Sequence, residues 1–264
     1  MAIVTRQAHE YGSSPVIFMQ SDSTPGTALH SLFSEHRAWF LEFLTLGETA
    51  PSDTLIQAEW SQSVHFNRLL ARYGDEIYRH HAGMPREEKP LQSLWAQWYF
   101  GLIVPPMMLA LVMEKRALDC SLEHFHLQFH ESGRPAKFWI DVHEDEDARY
   151  LNAQQRIDRL IQRHLIPAVQ GIEQHGDINA KLIWNNTGYL MHWFLGEMKS
   201  WVDEATLLTL EHSLFFSRHL LDGSDNPLYR TVIPRDGAMQ RRSCCQRYRL
   251  PAVERCGDCT LKPV

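Results

Sequence analysis

Cysteine is scarce in this sequence, with only five among 264 residues. The chain also has no Gly-x-Gly-x-x-Gly motif, Walker loop or nucleophile elbow. These absences argue against Rossmann-type binding of flavin or nicotinamide, so a redox protein of this kind would take its electrons from another protein. The formal net charge of −6 argues against a nucleic-acid partner. Residues 1–20 show no basic segment followed by an apolar run, so we expect no secretory signal.

One long segment without charge requires a test for membrane insertion. Residues 94–113 are almost entirely apolar, and a helix of that length would nearly cross a bilayer. However, Pro105 and Pro106 lie in its middle, and proline lacks the N–H that a continuous helix needs. We therefore predict a buried, kinked pair of helices and no membrane span, which leaves peripheral contact with a membrane open.

Apolar periodicity predicts a mainly helical chain. Residues spaced for one helical face predict helices over 29–46, 53–78, 153–174 (kinked at Pro167), 188–202 and 205–221. Alternating residues predict a hairpin of 124–130 with 136–142, a second of 229–233 with 238–242, and a short strand at 181–184. The predicted fold class is α+β: a mainly helical body (1–235) with a small antiparallel sheet, and a C-terminal cysteine-ligated cluster segment (236–264).

The scarce cysteines are concentrated at the end of the chain. Cys244, Cys245, Cys256 and Cys259 fall within sixteen residues, and four thiolates suit an iron–sulfur cluster or a structural zinc ion. A Cys244–Cys245 disulfide is a third alternative. Zinc ribbons usually combine two Cys-x-x-Cys pairs, whereas one pair here is directly adjacent. Adjacent side chains diverge, so both can be ligands only if the chain kinks there; this favours iron–sulfur.

Basic residues surround these thiols. Nearby guanidinium groups would raise a cluster's potential or dock an acidic electron donor. The alternative is a solvated basic tail that balances an acidic body. The residues concerned are Arg241, Arg242, Arg247, Arg249 and Arg255.

Other candidate residues have simpler interpretations. His124, His126 and His130 share one strand face, which we interpret as solvated rather than metal-binding. Cys120 is interpreted as a packed thiol. The tryptophans are assigned by default to the core, although a few could line a groove for a bulky ligand; examples are Trp95, Trp98, Trp193 and Trp201.

Several motifs resemble one bacterial family. They are Arg241-Arg-Ser-Cys-Cys-Gln-Arg-Tyr-Arg-Leu-Pro251, Cys256-Gly-Asp-Cys-Thr-Leu-Lys262, Leu94-Trp-Ala-Gln-Trp-Tyr99, Val104-Pro-Pro106, Lys181-Leu-Ile-Trp-Asn-Asn-Thr-Gly-Tyr189 and Asp225-Asn-Pro-Leu228. With these, the chain resembles the FhuF-type ferric siderophore reductases over nearly its whole length. The middle of the chain is also similar to a region of siderophore synthetases that work without a nonribosomal template.

The resemblance implies a cytoplasmic [2Fe–2S] oxidoreductase in iron transport. Its substrate would be a ferric hydroxamate siderophore, and its electron donor an unidentified ferredoxin-like or flavodoxin-like protein. Cys244, Cys245, Cys256 and Cys259 would be the cluster ligands, with no catalytic residue beyond the cluster. Two alternatives remain from the residues alone: a zinc-stabilised binding module, and an iron–sulfur redox or iron sensor.

Overall fold

The computed structural model describes residues 24–235 and 237–261, most of which are helical. The helices are α1 (Pro25–His36), α2 (Gln57–Trp60), α3 (Ser63–Ile77), α4 (Glu88–Met113), α5 (Ala153–Leu160), α6 (Ile166–Glu173), α7 (Ala180–Glu197) and α8 (Glu204–Phe215). The strands are β1 (Leu44–Leu46), β2 (Phe125–Phe129), β3 (Pro135–Ile140), β4 (Val232–Arg235) and β5 (Ala238–Arg241). The predicted α+β class is confirmed.

The apolar helix α4 packs against α1, α3, α5, α7 and β3. Its length and composition would suffice to cross a membrane, but 67% of its most apolar window is buried inside the protein. The predicted burial is therefore correct, whereas the predicted break is wrong, because one helix continues through Pro105 and Pro106. The fixed φ of proline is itself helical. Burial of Ile103, Val104 and Met107 offsets the two missing N–H donors.

The three-stranded sheet has the order β1-β3-β2. The predicted hairpin is confirmed, with β2 antiparallel to β3. In contrast, β1 pairs parallel with β3, at residues that we had assigned to a helix over 29–46. The helix ends at His36, and a 3₁₀ turn over Ala38–Glu42 redirects the chain into β1. Pairing with a distant strand prevails here over the local helical spacing.

Other helix boundaries also differ from the predictions. The predicted helix 53–78 is two helices, α2 and α3, and Val64, which we expected to be buried, is 69% exposed. The helix predicted over 205–221 ends at Phe215. The strand predicted over 181–184 is instead the first turn of α7, which begins at the Asn179 cap. Leu182, Ile183 and Trp184 are buried. A short, fully buried apolar run shows neither the period of a helix nor that of a strand, so the sequence alone could not distinguish the two.

The interruption expected at Pro167 takes the form of a π-helical segment, Ile161–Leu165, between α5 and α6. In a regular α-helix, the ring of Pro167 would clash with the carbonyl oxygen of Arg163, four residues earlier. The wider π-helical turn just before the proline avoids this clash. The second predicted hairpin is confirmed as β4 antiparallel to β5. It leads directly into the cysteines, and the predicted boundary at 235/236 falls between its strands.

Candidate metal centre

The four C-terminal cysteines converge beside the start of α4 and α7. Cys245 Sγ lies 3.9 Å from Cys256 Sγ, and the Cys259 thiol is in hydrogen-bonding contact with the thiols of Cys256 and Cys244. All four are free, so the alternative of a Cys244–Cys245 disulfide is wrong. Cys120, also free, is buried and contacts the Leu118 carbonyl, as expected of a packed thiol.

A backbone kink directly follows the two adjacent cysteines. Gln246, directly after them, adopts a left-handed conformation with φ +65°. Its backbone N–H donates to Cys244 Sγ at 3.3 Å. The turn redirects the chain that follows the two cysteines and aims this N–H at Cys244. Cys244 and Cys245 both reach the sulfur group, Cys244 through Cys259 and Cys245 through Cys256, although side chains of neighbouring residues usually diverge.

Polar residues of the helical body hold this kinked segment in place. The Ser93 hydroxyl in α4 donates to the Cys245 carbonyl at 2.7 Å, and Asn186 Nδ2 in α7 donates to Ser93 Oγ at 3.2 Å. Next to it, Asn185 Nδ2 donates to Ser243 Oγ at 2.8 Å. Asn185, Asn186 and Ser243 lie in the motifs that carry the family resemblance, but we had given them no role, and Ser93 was not named. Polar side chains within apolar helices were a usable signal.

One arginine contacts the sulfurs directly. Arg241, only 4% exposed, donates from Nη2 to Cys256 Sγ at 3.1 Å and from Nη1 to Asn186 Oδ1 at 3.3 Å. Burial lowers the pKa of Arg241, but the negative charges of Cys245 and Cys256 outweigh it and raise the pKa overall. Arg241 therefore stays charged and offsets the charge of the thiolates.

The other arginines hold the segment to itself and to the body. Arg249 pairs with Glu87 just before α4, Arg247 Nε donates to the Glu254 carbonyl at 2.8 Å, and the Arg255 guanidinium lies 5.5 Å from the Tyr248 ring. Among the arginines of the described residues, Arg241 is the one that donates a hydrogen bond to a cysteine sulfur. The prediction of guanidinium groups near the sulfurs is thus realised chiefly by one residue.

The cysteine pKa values differ because their surroundings differ. Burial raises the pKa of Cys256, and the nearby charge of Cys245 raises it further, against the opposing effect of Arg241. The backbone N–H of Leu261 lowers the pKa of Cys259. Four free thiols in contact, with backbone N–H donors aimed at two of them and a guanidinium N–H at a third, are a donor set that suits an iron–sulfur cluster.

An open cleft of about 350 Å³ adjoins the cysteines. It lies between α4 and α7, and Cys256 forms part of its wall together with Arg241 and Asp258. Trp193, which we had placed in the core by default, is 44% exposed and lines this cleft, whereas Trp95 is fully buried. The alternative that some tryptophans line a groove therefore applies to Trp193.

The predicted histidine face does not gather into one site. Of its three members, His124 alone joins a group of possible metal donors, with Asp141 and His143, whose donor atoms lie within 4.8 Å of one another. His130 instead bonds Ser132 at 3.0 Å. The group lies where β2 begins and β3 ends, away from the turn of that hairpin.

Comparison with known proteins points to one family. The profile described as "Ferric iron reductase FhuF-like transporter" matches residues 93–239, and "FhuF 2Fe-2S C-terminal domain" matches residues 241–261. A protein of Escherichia coli (strain K12) named "Ferric siderophore reductase" is 54% identical over 241 residues, which are 91% of this chain and 92% of that protein. The prediction of a [2Fe–2S] cluster is confirmed, and the zinc alternative is wrong.

Proposed function

Because this chain belongs to the FhuF family, we propose that it is a ferric siderophore reductase acting on ferric hydroxamate chelates and releasing ferrous iron for assimilation. The observation that carries the proposal is the convergence of four free thiols at the wall of an open cleft. The high identity to a protein named for this activity supports it.

We assign cluster ligation to Cys244, Cys245, Cys256 and Cys259. When bound, a [2Fe–2S] cluster supplies single electrons, which is the stoichiometry of reducing Fe³⁺ to Fe²⁺. Cys245 and Cys259 are buried, at 1% and 7% exposure. The half-buried Cys256 faces the cleft, so the substrate's path to the sulfurs leads past this residue.

The chemistry of the substrate explains why one electron suffices for iron release. Hydroxamate oxygens are hard ligands that hold Fe³⁺ far better than the softer and less charged Fe²⁺. Reduction therefore weakens the chelate, and the ferrous ion passes to other ligands. No bond of the siderophore has to be cleaved, which agrees with a site that presents sulfurs and an arginine rather than a nucleophile and a base.

The setting of the reaction is also part of the proposal. The missing nucleotide motifs support an electron donor that is a separate ferredoxin-like or flavodoxin-like protein. We place the reaction in the cytoplasm, where thiols stay reduced. We also propose that residues 1–235 serve as the siderophore-reductase body and 236–264 as the cluster-binding segment.

The direct test is rapid mixing under anaerobic conditions. Protein reduced with dithionite, and freed of the excess, is mixed with a ferric trihydroxamate while the visible absorbance of the cluster is followed. We expect cluster reoxidation together with ferrous iron captured by a colorimetric chelator, one ion for each electron. Absence of reoxidation by the chelate would refute the reductase function.

Substitution of single cysteines tests the assignment of ligands. We expect Cys244→Ser, Cys245→Ser, Cys256→Ser and Cys259→Ser each to lose most of the bound iron and sulfide, because serine is a poor ligand for these clusters. Cys120→Ser, a change at the remaining cysteine, is the matched control and should retain both. A C-terminal variant with unchanged iron, sulfide and spectrum would remove that cysteine from the ligand set.

A further inference from the structure

We propose that the ferric chelate docks in the cleft between α4 and α7, against Cys256 and Arg241, with Gly101 as the cleft's open floor and Trp193 as its apolar wall. This inference rests on the proposed reductase function and adds to it a substrate site. The charges of the cleft also agree with the hydroxamate chelates already proposed, which carry little or no net charge.

The two helices form the cleft with one face each. Ala96, Phe100 and Gly101 contribute from α4, and Tyr189, Leu190 and Trp193 from α7, at spacings that place them on one side of a helix. A volume of about 350 Å³ is at the lower end of the range for ligand pockets, about 300–1,000 Å³. The cleft therefore takes one edge of a chelate and leaves the remainder in solvent.

Unpartnered polar groups at the cleft indicate a missing ligand. Within the described residues, four buried side-chain polar atoms have no hydrogen-bond partner, and two of them, Thr187 Oγ1 and Arg241 Nε, belong to residues that line the cleft. Thr187 is 1% exposed and Arg241 is 4% exposed. Such groups are rare in folded proteins, and oxygen atoms of a bound chelate would provide acceptors for them.

The charges of the cleft favour a neutral chelate. Arg241 contributes one positive charge and Asp258 one negative charge, and the Asp258 carboxylate is held by a hydrogen bond with the Tyr189 hydroxyl. Three hydroxamates cancel the charge of Fe³⁺, whereas three catecholates leave a strongly anionic complex. Because the Cys256 thiolate adds further negative charge, the cleft has no excess positive charge; with its apolar walls it suits the first complex and disfavours the second.

Arg241 also bears on the electron transfer itself. After reduction the trihydroxamate complex carries one negative charge, and Arg241 adjoins both the cleft and the sulfurs, since it lines the first and donates to Cys256 Sγ at 3.1 Å. A guanidinium in a partly desolvated site stabilises developing negative charge. Arg241 thus stabilises the electron on the cluster and on the docked chelate alike, and it does not by itself set the direction of transfer.

Two glycines give a matched pair of variants for the test. A Cβ added at Gly101 meets no atom within 4 Å, and Gly101 lines the cleft, so we expect the ring of Gly101→Phe to occupy the cleft. Gly196 in α7 is equally open and borders a different cavity, lined by His192 and Lys199. Both lie within helices, where replacing glycine also favours the fold. Gly196→Phe therefore controls for the bulk of the ring.

The probe is the Ga³⁺ complex of a trihydroxamate chelator, since Ga³⁺ has the charge of Fe³⁺ but accepts no electron. Binding to the cluster-loaded protein is measured by calorimetry, after the visible spectrum has verified the cluster in every variant. We expect Gly101→Phe to weaken binding about tenfold or more, and Gly196→Phe to bind as the unmodified protein does. A Ga³⁺ tris-catecholate should bind more weakly than the trihydroxamate.

A second pair of variants keeps the test valid if Gly101→Phe does not fold. Trp193→Ala removes an exposed ring of the cleft, and Trp39→Ala removes a ring of equal exposure, 44%, outside it. We expect the first to weaken binding several-fold and the second to leave it unchanged.

The outcomes separate the docking site from the proposed function. Undiminished binding in Gly101→Phe, no binding to the unmodified protein, or preference for the catecholate complex would each overturn the site. If the ferric chelate still reoxidises Gly101→Phe at the unmodified rate, the site is wrong and the reductase function stands. If the Ga³⁺ chelate binds the cleft but the ferric chelate causes no reoxidation, the site stands and the function is wrong.

Discussion

Arg241 Nη2 donates a hydrogen bond of 3.1 Å to Cys256 Sγ, and both residues line the cleft beside α4 and α7. The guanidinium is also held by Asn186 and lies 5.4 Å from the Tyr189 ring. A buried positive charge in this position acts on any electron that the cysteines' cluster receives. Arg241 is therefore the arginine that most directly influences the redox centre.

Replacing Arg241 should lower the reduction potential of the cluster. The Arg241→Gln variant loses a positive charge that favours the reduced form, and we expect a shift on the order of 50 mV, since one-electron potentials move about 59 mV per tenfold bias. An anaerobic potentiometric titration followed by absorbance measures it. Arg242→Gln, at the exposed neighbour, should shift the potential far less. Equal shifts in both variants would contradict a specific role for Arg241.

Removing the Ser93 hydroxyl should loosen the cysteine segment. Ser93→Ala deletes the hydrogen bond to the Cys245 carbonyl and leaves that buried acceptor without its donor, at a cost of about 1 kcal/mol. We expect cluster release to an iron chelator to become roughly fivefold faster. Ser31→Ala, at an exposed serine of α1, should release the cluster at the unmodified rate. An unchanged rate in Ser93→Ala would show that this bond does not hold the segment.

The left-handed turn at Gln246 makes a conformational prediction. Residues with a Cβ adopt positive φ at a cost of about 1–2 kcal/mol, which glycine avoids. Gln246→Gly should therefore retain full iron and sulfide content, whereas the β-branched Gln246→Val should lose a large part of it. Gln240→Val, in the extended strand β5, controls for the side chain and should retain the cluster. Full loading of Gln246→Val would contradict the need for this kink.

The buried imidazole of His164 should make folding stability depend on pH. Burial lowers the pKa of His164 to about 4, below its value of 6.5 in an unfolded chain. Between these values the unfolded state binds more protons, so stability falls as pH falls, by roughly 2 kcal/mol between pH 7 and pH 5. Urea unfolding at both pH values should show this loss in the unmodified protein.

The matching variants identify the residue responsible. His164→Gln retains a group able to bond the Tyr99 hydroxyl, 3.2 Å from His164 Nε2, but it does not titrate. We expect the loss of stability on acidification to be smaller by about 2 kcal/mol in this variant. His30→Gln, at an exposed histidine of α1, should keep the full dependence. The same pH dependence in all three proteins would assign it to other groups.

Local patterns were sufficient for much of this protein. The spacing of Cys244, Cys245, Cys256 and Cys259 indicated an iron–sulfur site, because ligand type and adjacency limit which metal fits. The alternation in 124–130 and 136–142 predicted the hairpin β2–β3, since one buried face imposes a period of two. The cysteine and hairpin signals each lie within a short stretch of the chain. The separate electron donor, inferred from the absence of nucleotide motifs, stays a prediction.

The remaining features depend on contacts between distant residues. Ser93 and Cys245 are 152 positions apart, and no periodicity relates them. The continuity of α4 through Pro105 and Pro106, and the parallel pairing of β1 with β3, arise because burial outweighs local preference. Only the packing of α4 against α7 creates the cleft beside Cys256. The sequence by itself determined the chemistry of the centre, because its ligand residues lie close together in the chain. Tertiary structure decided the surroundings of the centre, because a cavity is formed by surfaces that meet only after folding.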